Sequence, residues 1–174
     1  AKGDLPEKPV VVKTIVTTDL VARIAEKYGC EVVEVLTGFK YIGEQIGLLE
    51  KAGHPERYIF GFEESYGYLS GTYVRDKDGV VASMLICEMA AYYRKQGKSL
   101  LQVLDDVYAE FGVFRHSLIN AEFEGASGMA AMQQLMTSLR ENRPASIAGL
   151  KVVRFSDYQA SEQTDLLTGR TVHL

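Results

Sequence analysis

Two carboxylates and a hydroxyl follow an apolar run near the middle of this 174-residue sequence. The run, Tyr58 to Phe62, is predicted to be a strand, and Glu63, Glu64 and Ser65 come directly after it. Open α/β sheets build ligand sites from polar groups at the carboxyl ends of their strands. A carboxylate accepts hydrogen bonds and a serine hydroxyl both donates and accepts, which suits a polyhydroxylated ligand such as a sugar. The alternative interpretation is a solvated turn with ordinary surface charges.

A second group of candidate residues lies at the turn after the preceding predicted strand. Thr37 and Gly38 connect that strand to a helix, where free backbone N–H groups and the helix dipole favour an oxygen-rich ligand. A plain turn capped by the threonine is the alternative. Lys40 is either a phosphate contact or a surface lysine, and the sequence leaves both interpretations open.

Charged residues cluster again downstream, in Arg75-Asp76-Lys77-Asp78-Gly79. Arg75 is either a bidentate phosphate contact or a brace for the loop through Asp76 or Glu64. Asp76 and Asp78 resemble part of a calcium loop, but the downstream ligands that such a loop requires are missing, so we assign no metal. From the residues alone, Lys77 is an exposed lysine in a turn.

The elements that must position these residues alternate between strand and helix. Strands are predicted over 10–16, 31–36 and 58–62. Helices are predicted over 20–28, 41–52, 80–96 and 100–111. The β-α-β-α-β order is typical of a mostly parallel sheet with helices packed against it. The apolar residues of the third helix run almost all round it, which predicts deep packing.

The pattern changes near Val113, where a second, incomplete unit is predicted to begin. Its predicted elements are a partly alternating strand over 115–123, a helix over 125–141, a strand over 149–155 and a last strand from 171. The methionines of that helix are interpreted as core filler. The predicted fold class is α/β, a three-layer sandwich with a mixed, mostly parallel sheet and helices on both faces, plus a partial α+β unit. The predicted domains are a linker over 1–9, the sandwich over 10–112 and the partial unit over 113–174.

The composition excludes several classes of protein. Apolar residues make up 47% of the chain and charged residues 24%, as expected for a soluble domain with a core. The net charge of −4 gives no attraction to nucleic acid or to an anionic membrane. No apolar run approaches the roughly 18 residues that cross a bilayer, and no secretory signal is expected. Cys30 and Cys87 lack metal-type spacing and are interpreted as buried thiols in a reducing cytoplasm.

Three motifs give the chain a family resemblance. Phe60-Gly61-Phe62-Glu63-Glu64-Ser65-Tyr66-Gly67 resembles the sugar-recognition loop of the α-D-phosphohexomutases, the phosphoglucomutase and phosphomannomutase family. Thr37-Gly38-Phe39-Lys40 upstream and Arg75-Asp76-Lys77-Asp78-Gly79 downstream match further motifs in the family's order. The resemblance covers most of the chain, since residues 10–112 resemble the family's third domain and residues 113–174 the opening of its fourth.

The resemblance implies roles for individual residues. Glu63 and Ser65 would bind sugar hydroxyls, and the Thr37-Gly38 turn would line the same site. Glu64 would orient the loop instead, because neighbours in an extended stretch point opposite ways.

Lys77 corresponds to a lysine that some phosphoglucomutases place near the transferring phosphoryl group. An ammonium there neutralises a phosphate dianion or donates a proton. Family members that also use mannose often carry histidines where this chain has Gly67 and Phe39, so the pattern favours the glucose-type or the broader bacterial enzymes.

The resemblance also implies an activity to which this chain contributes a part. Family enzymes interconvert hexose 1-phosphate and hexose 6-phosphate through a phosphoserine and a bisphosphate, glucose 1,6-bisphosphate, with Mg²⁺. The phosphoserine loop Ser-His-Asn-Pro, the magnesium loop Asp-Gly-Asp-x-Asp and the late phosphate loop do not occur in the 174 residues. We therefore expect a fragment that recognises the sugar of a hexose phosphate, is catalytically inert alone, and depends on the missing domains of its parent chain.

Two other classes of function stay open at this point. The first is a free-standing module that binds a sugar phosphate or a nucleotide without chemistry. Thr17-Thr18-Asp19 has no glycine for a nucleotide phosphate loop, which disfavours a nucleotide. The second is a non-catalytic scaffold with a vestigial loop. Unpaired strand edges in the incomplete unit also leave self-association open.

Overall fold

A computed structural model describes residues 5–64, 66–115 and 122–174 of the chain. The chain divides into two compact units, residues 1–117 and residues 118–174. Across the described ranges, no helix is both long enough and apolar enough to cross a membrane.

The first unit is built on a four-stranded sheet with the order β2-β1-β3-β4. Its strands are β1 (Val10–Thr14), β2 (Glu31–Val35), β3 (Tyr58–Glu63) and β4 (Gly67–Leu69). β1 pairs in parallel with β2 and with β3, whereas β4 pairs antiparallel with β3. β1 is central because its continuous β-branched sequence suits a strand with neighbours on both sides. The sequence predicted the three parallel strands to within two residues but missed β4, which was interpreted as a glycine-rich loop.

Four α-helices accompany this sheet: α1 (Leu20–Lys27), α2 (Phe39–Lys51), α3 (Gly79–Lys95) and α4 (Leu100–Phe111). The connection through α1 leads from β1 to β2, and the connection through α2 leads back past β1 to β3. Right-handed crossovers in opposite directions place α1 and α2 on opposite faces of the sheet, which is the predicted sandwich. The core lies between the sheet and α2 and contains Val10, Val12, Phe39, Ile42, Ile46, Tyr58 and Leu69.

The predictions of burial outside this core are wrong. α3 lies wholly within the described ranges and has no buried residue, and Val80 exposes 81% of its surface. Among the described elements, the main neighbours of α3 are β4 and α4. These two elements are too few to cover a helix whose apolar residues lie on all sides. Neither thiol is buried as predicted, since Cys87 on α3 is exposed and Cys30 is half-buried. Partial burial raises the pKa of the Cys30 thiol.

Within residues 122–174, the second unit contains one helix and two small antiparallel sheets. The helix is α5 (Gly125–Glu141), with the predicted bounds. β5 (Ser146–Ile147) pairs with β6 (Leu150–Lys151). β7 (Arg154–Asp157), β8 (Glu162–Asp165) and β9 (Thr171–His173) form a three-stranded meander. The sequence prediction fused β6 and β7 into one strand and missed β5 and β8.

Two further predictions concern the second unit. The methionines of α5 are not core filler in this chain, because Met129, Met132 and Met136 are all exposed. An ion pair joins the helix to the meander, with Nε of Arg140 2.9 Å from Oδ2 of Asp157. The strand predicted over 115–123 falls mostly on residues 116–121, which lie outside the described residues.

Candidate functional site

Glu63 is the last residue of β3, and only 5% of its surface is exposed. Its Oε1 lies 3.3 Å from Nζ of Lys77. Its Oε2 is buried and, among the described residues, has no hydrogen-bond partner. A buried acceptor without a donor costs about 1–3 kcal/mol, so this oxygen is suited to a donor that comes from outside the chain.

The hairpin from β3 to β4 sets the position of this carboxylate. Glu63 is opposite Gly67 in the antiparallel pair. A Cβ added at Gly67 would lie 2.6 Å from Cγ of Glu63, so only glycine leaves room for the glutamate side chain there. Ser65, in the connecting turn, lies outside the described residues, and its role stays a prediction. Tyr66 follows it with a φ of +54°, a left-handed conformation that non-glycine residues seldom adopt.

Lys77 approaches the carboxylate from the loop between β4 and α3. Its ammonium lies 3.3 Å from Oε1 of Glu63 and 3.7 Å from Oδ1 of Asp76. The same nitrogen lies 5.6 Å from the centre of the Phe39 ring. Phe39 is buried and directly follows the Thr37-Gly38 turn. The structure thus brings Glu63, Lys77 and the start of α2 to one edge of the sheet.

The Thr37-Gly38 turn differs in detail from its prediction. α2 begins at Phe39, two residues before the predicted start, and Gly38 is its N-cap residue with a φ of +126°. Thr37 is exposed and does not occupy the cap position, so the threonine-capped turn is wrong. Glycine is required here because this backbone conformation is strained for any residue with a Cβ. Lys40 is exposed, and its ammonium lies 4.8 Å from the ring centre of Tyr41.

Arg75 braces the loop that carries Lys77, but through a partner that the sequence did not suggest. Its guanidinium lies 2.5 Å from Oε1 of Glu50 on α2 and donates to the backbone oxygen of Thr72. The predicted partners, Asp76 and Glu64, do not make this contact. Glu50 is 25 residues earlier in the chain, so no local pattern pointed to it.

Asp78 is the N-cap residue of α3. Its Oδ1 accepts from the backbone N–H groups of Val80 and Val81, at 2.8 and 3.1 Å. Tyr73 donates its hydroxyl to Oδ2, and this bond together with the two backbone bonds lowers the pKa of Asp78. In the described part of the chain, no group of three or more histidine, cysteine, aspartate and glutamate side chains could hold a metal ion.

Lys13 is a buried cation that the sequence analysis overlooked. It lies in β1, exposes 2% of its surface, and pairs with Oε2 of Glu34 at 2.5 Å and with Oδ1 of Asp19 at 3.3 Å. Nζ also donates to the backbone oxygen of Thr17. A buried charge needs such partners, so Lys13 fixes the loop that follows β1 at the site edge of the sheet. The signal was available, since Lys13 is the one charged residue in a run of β-branched residues.

Comparison with known proteins adds to this geometry. Residues 1–111 match the family described as phosphoglucomutase/phosphomannomutase, alpha/beta/alpha domain III. A phosphoglucomutase of Staphylococcus haemolyticus is 38% identical over 156 residues, which are 90% of this chain and 28% of the relative. A "Probable phosphomannomutase" of Haemophilus influenzae is 40% identical over 156 residues, 88% of this chain and 30% of the relative.

A solved structure of pp63/parafusin, a phosphoglucomutase from Paramecium in its open form, has the same fold. It superposes with a TM-score of 0.58 and 20% sequence identity, over 94% of this chain and 27% of that protein. The chain therefore spans between a quarter and a third of the length of these relatives.

Proposed function

Because the chain belongs to the phosphoglucomutase/phosphomannomutase family, we propose that it forms the sugar-recognition wall of an enzyme that interconverts hexose 1-phosphate and hexose 6-phosphate. In this proposal Glu63, Ser65 and the Thr37-Gly38 turn recognise sugar hydroxyls. Lys77 adds a positive charge beside the phosphoryl group. Residues 113–174 are proposed to open the family's fourth domain.

The buried Oε2 of Glu63 is the observation that carries this proposal. Lys77 occupies the other oxygen of the carboxylate at 3.3 Å, which leaves Oε2 to accept from a ligand hydroxyl. A hydrogen bond to a charged acceptor contributes about 1.5–3 kcal/mol. The Lys77 side chain is 41% exposed, so it can contact a ligand phosphate while it holds the carboxylate.

Gly67 and Phe39 favour the glucose-type or the broader bacterial enzymes of the family. They occupy the two positions at which mannose-using members often have histidine. A side chain at position 67 would collide with Glu63, and the ring of Phe39 is buried in the core. Neither position thus offers an imidazole to the sugar.

The chemical step is proposed to use groups outside these 174 residues. Phosphoryl transfer needs a nucleophile, a divalent ion and phosphate clamps held together. The described residues offer no set that fits Mg²⁺, so we assign no step to a metal in this chain. The phosphoserine, Mg²⁺ and glucose 1,6-bisphosphate belong to the proposed parent enzyme. We expect the 174-residue chain to bind hexose phosphate without turning it over. Its cytoplasmic location and its self-association stay predictions.

The test is a titration of the chain with glucose 1-phosphate and glucose 1,6-bisphosphate by calorimetry. Glu63→Gln keeps the shape of the side chain but removes its charge, so we expect the Kd to rise about 10- to 150-fold. Glu56→Gln, the same substitution at an exposed position beside the other end of β3, should leave the Kd unchanged. Equal Kd values for wild type and Glu63→Gln would remove Glu63 from the site. Binding without turnover in the parent enzyme would instead favour a non-catalytic module.

A further inference from the structure

The loop that carries Lys77, residues 70–78, is held against one face of α2. The ammonium of Lys77 lies over the ring of Phe39. A Cβ added at Gly43 would lie 2.9 Å from the backbone oxygen of Arg75, so helix and loop are in close contact there. The Arg75 guanidinium pairs with Glu50, about two turns further along the helix. Positions 39, 43 and 50 are four and seven residues apart, which is the spacing of a single helix face.

We propose that Phe39 is a positioning residue for Lys77, which holds the ammonium at Glu63 without itself contacting the ligand. This inference rests on the proposed function of the Glu63–Lys77 pair. The face of an aromatic ring attracts a cation within about 6 Å of its centre, and the Phe39 ring centre is 5.6 Å from Nζ. Only 4% of Phe39 is exposed, so its ring is not free to bind a sugar.

The neighbouring groups explain why the ring is needed. A lysine side chain has many rotamers, and ordering it costs entropy. Asp76 is 3.7 Å from the ammonium but 80% exposed, so by itself it would draw Lys77 toward solvent only weakly. Glu63 is buried, and its Oε1 lies 3.3 Å from the same ammonium. The ring of Phe39 disfavours the rotamers that point away from Glu63.

The position of α2 also determines the position of the Thr37-Gly38 turn. Phe39 is the first residue of α2, and the Thr37-Gly38 turn directly precedes it. A shift of α2 along its axis would therefore move the turn and Lys77 together. Lys40, one residue after Phe39, has its ammonium over the ring of Tyr41. Lys40 and Lys77 therefore contact different rings.

The decisive experiment replaces Phe39 with progressively fluorinated phenylalanines in the 174-residue chain. Fluorination keeps the shape and burial of the ring and weakens the negative charge of its face. NMR of the free chain reports the Hε protons of Lys77, which we expect the ring current of Phe39 to shift upfield. We expect this shift to shrink step by step with fluorination and to vanish in Phe39→Leu. The control Ile46→Val, in the same buried layer of α2, should leave the shift unchanged.

Titration with glucose 1-phosphate then tests whether the position of the Lys77 ammonium affects ligand binding. We expect the Kd to rise about two- to fivefold in the most fluorinated variant. Lys77 resonances that are identical across the fluorinated series would overturn the positioning role of Phe39. If the wild-type chain binds no glucose 1-phosphate, the proposed function fails, whereas the resonances of the free chain still decide the role of Phe39.

Discussion

Alanine in place of Gly67 tests the geometry of the site most directly. The new Cβ would lie 2.6 Å from Cγ of Glu63 and 3.1 Å from its Oε1. Gly67 does not have a left-handed φ, so alanine meets no backbone strain and the collision alone acts. The Glu63 side chain is only 4% exposed, so it cannot swing freely into solvent. Either the contact with Lys77 or the pairing of β3 with β4 must therefore give way.

The structure sets the magnitude of two effects. Overpacking a buried contact of this kind costs about 1–3 kcal/mol of unfolding free energy. Displacement of the Glu63 carboxylate removes a charged acceptor from the ligand, which corresponds to a rise in Kd of about 10- to 150-fold. Gly67→Ala should therefore lose stability and binding together.

The assay is urea unfolding of the chain, paired with titration of glucose 1-phosphate. Gly47→Ala is the matched control, because Gly47 lies within α2 and a Cβ there would meet nothing within 4 Å. Alanine in a helix interior is about 0.5–1 kcal/mol more favourable than glycine, so this control should gain stability and keep its affinity. A Gly67→Ala variant with wild-type stability and wild-type Kd would refute the placement of Glu63 over β4.

Two further predictions concern pH. Tyr58 donates its hydroxyl to the backbone oxygen of Leu69, and burial raises its pKa. Its stabilising contribution is complete below the ordinary tyrosine pKa of about 10 and is lost as the pH rises further. Urea midpoints should therefore fall above about pH 10 in wild type and less in Tyr58→Phe, and parallel pH profiles would contradict this. Asp78 has a lowered pKa, so its cap on α3 contributes at neutral pH and is lost only as the solution becomes acidic enough to protonate it. Thermal midpoints should be lower for Asp78→Ala than for Asp78→Asn at pH 7, and equal midpoints for these two variants would count against the cap.

Much of the first unit was predictable because its local signals are strong. The run Val10-Val11-Val12 indicates a buried strand, and the glycines at 29 and 97 mark the ends of helices. β4 escaped because three residues are too few to show a period of two. The exposure of α3 was not predicted for another reason. An apolar sequence indicates which residues a helix could bury, but not which neighbouring elements are present to cover them.

The candidate site was predictable in its parts and not in its contacts. The motifs placed Glu63 and Lys77 in order along the chain, and the family match agrees with them. Their ion pair joins the end of β3 to the loop before α3, and this contact leaves no local signal in the sequence. Arg75 pairs across 25 residues, and the partners of Lys13 come from a different strand and a different loop.

The buried Oε2 of Glu63 has a consequence for how this domain can change by mutation. It has no hydrogen-bond partner among residues 5–64, 66–115 and 122–174, and a buried acceptor without a donor costs about 1–3 kcal/mol. The hydroxyl of a bound sugar would donate the missing hydrogen bond, so ligand binding should raise the thermal midpoint of the chain. Variants selected only for thermal stability should carry apolar substitutions at position 63. Each such substitution would weaken ligand binding while it stabilises the fold.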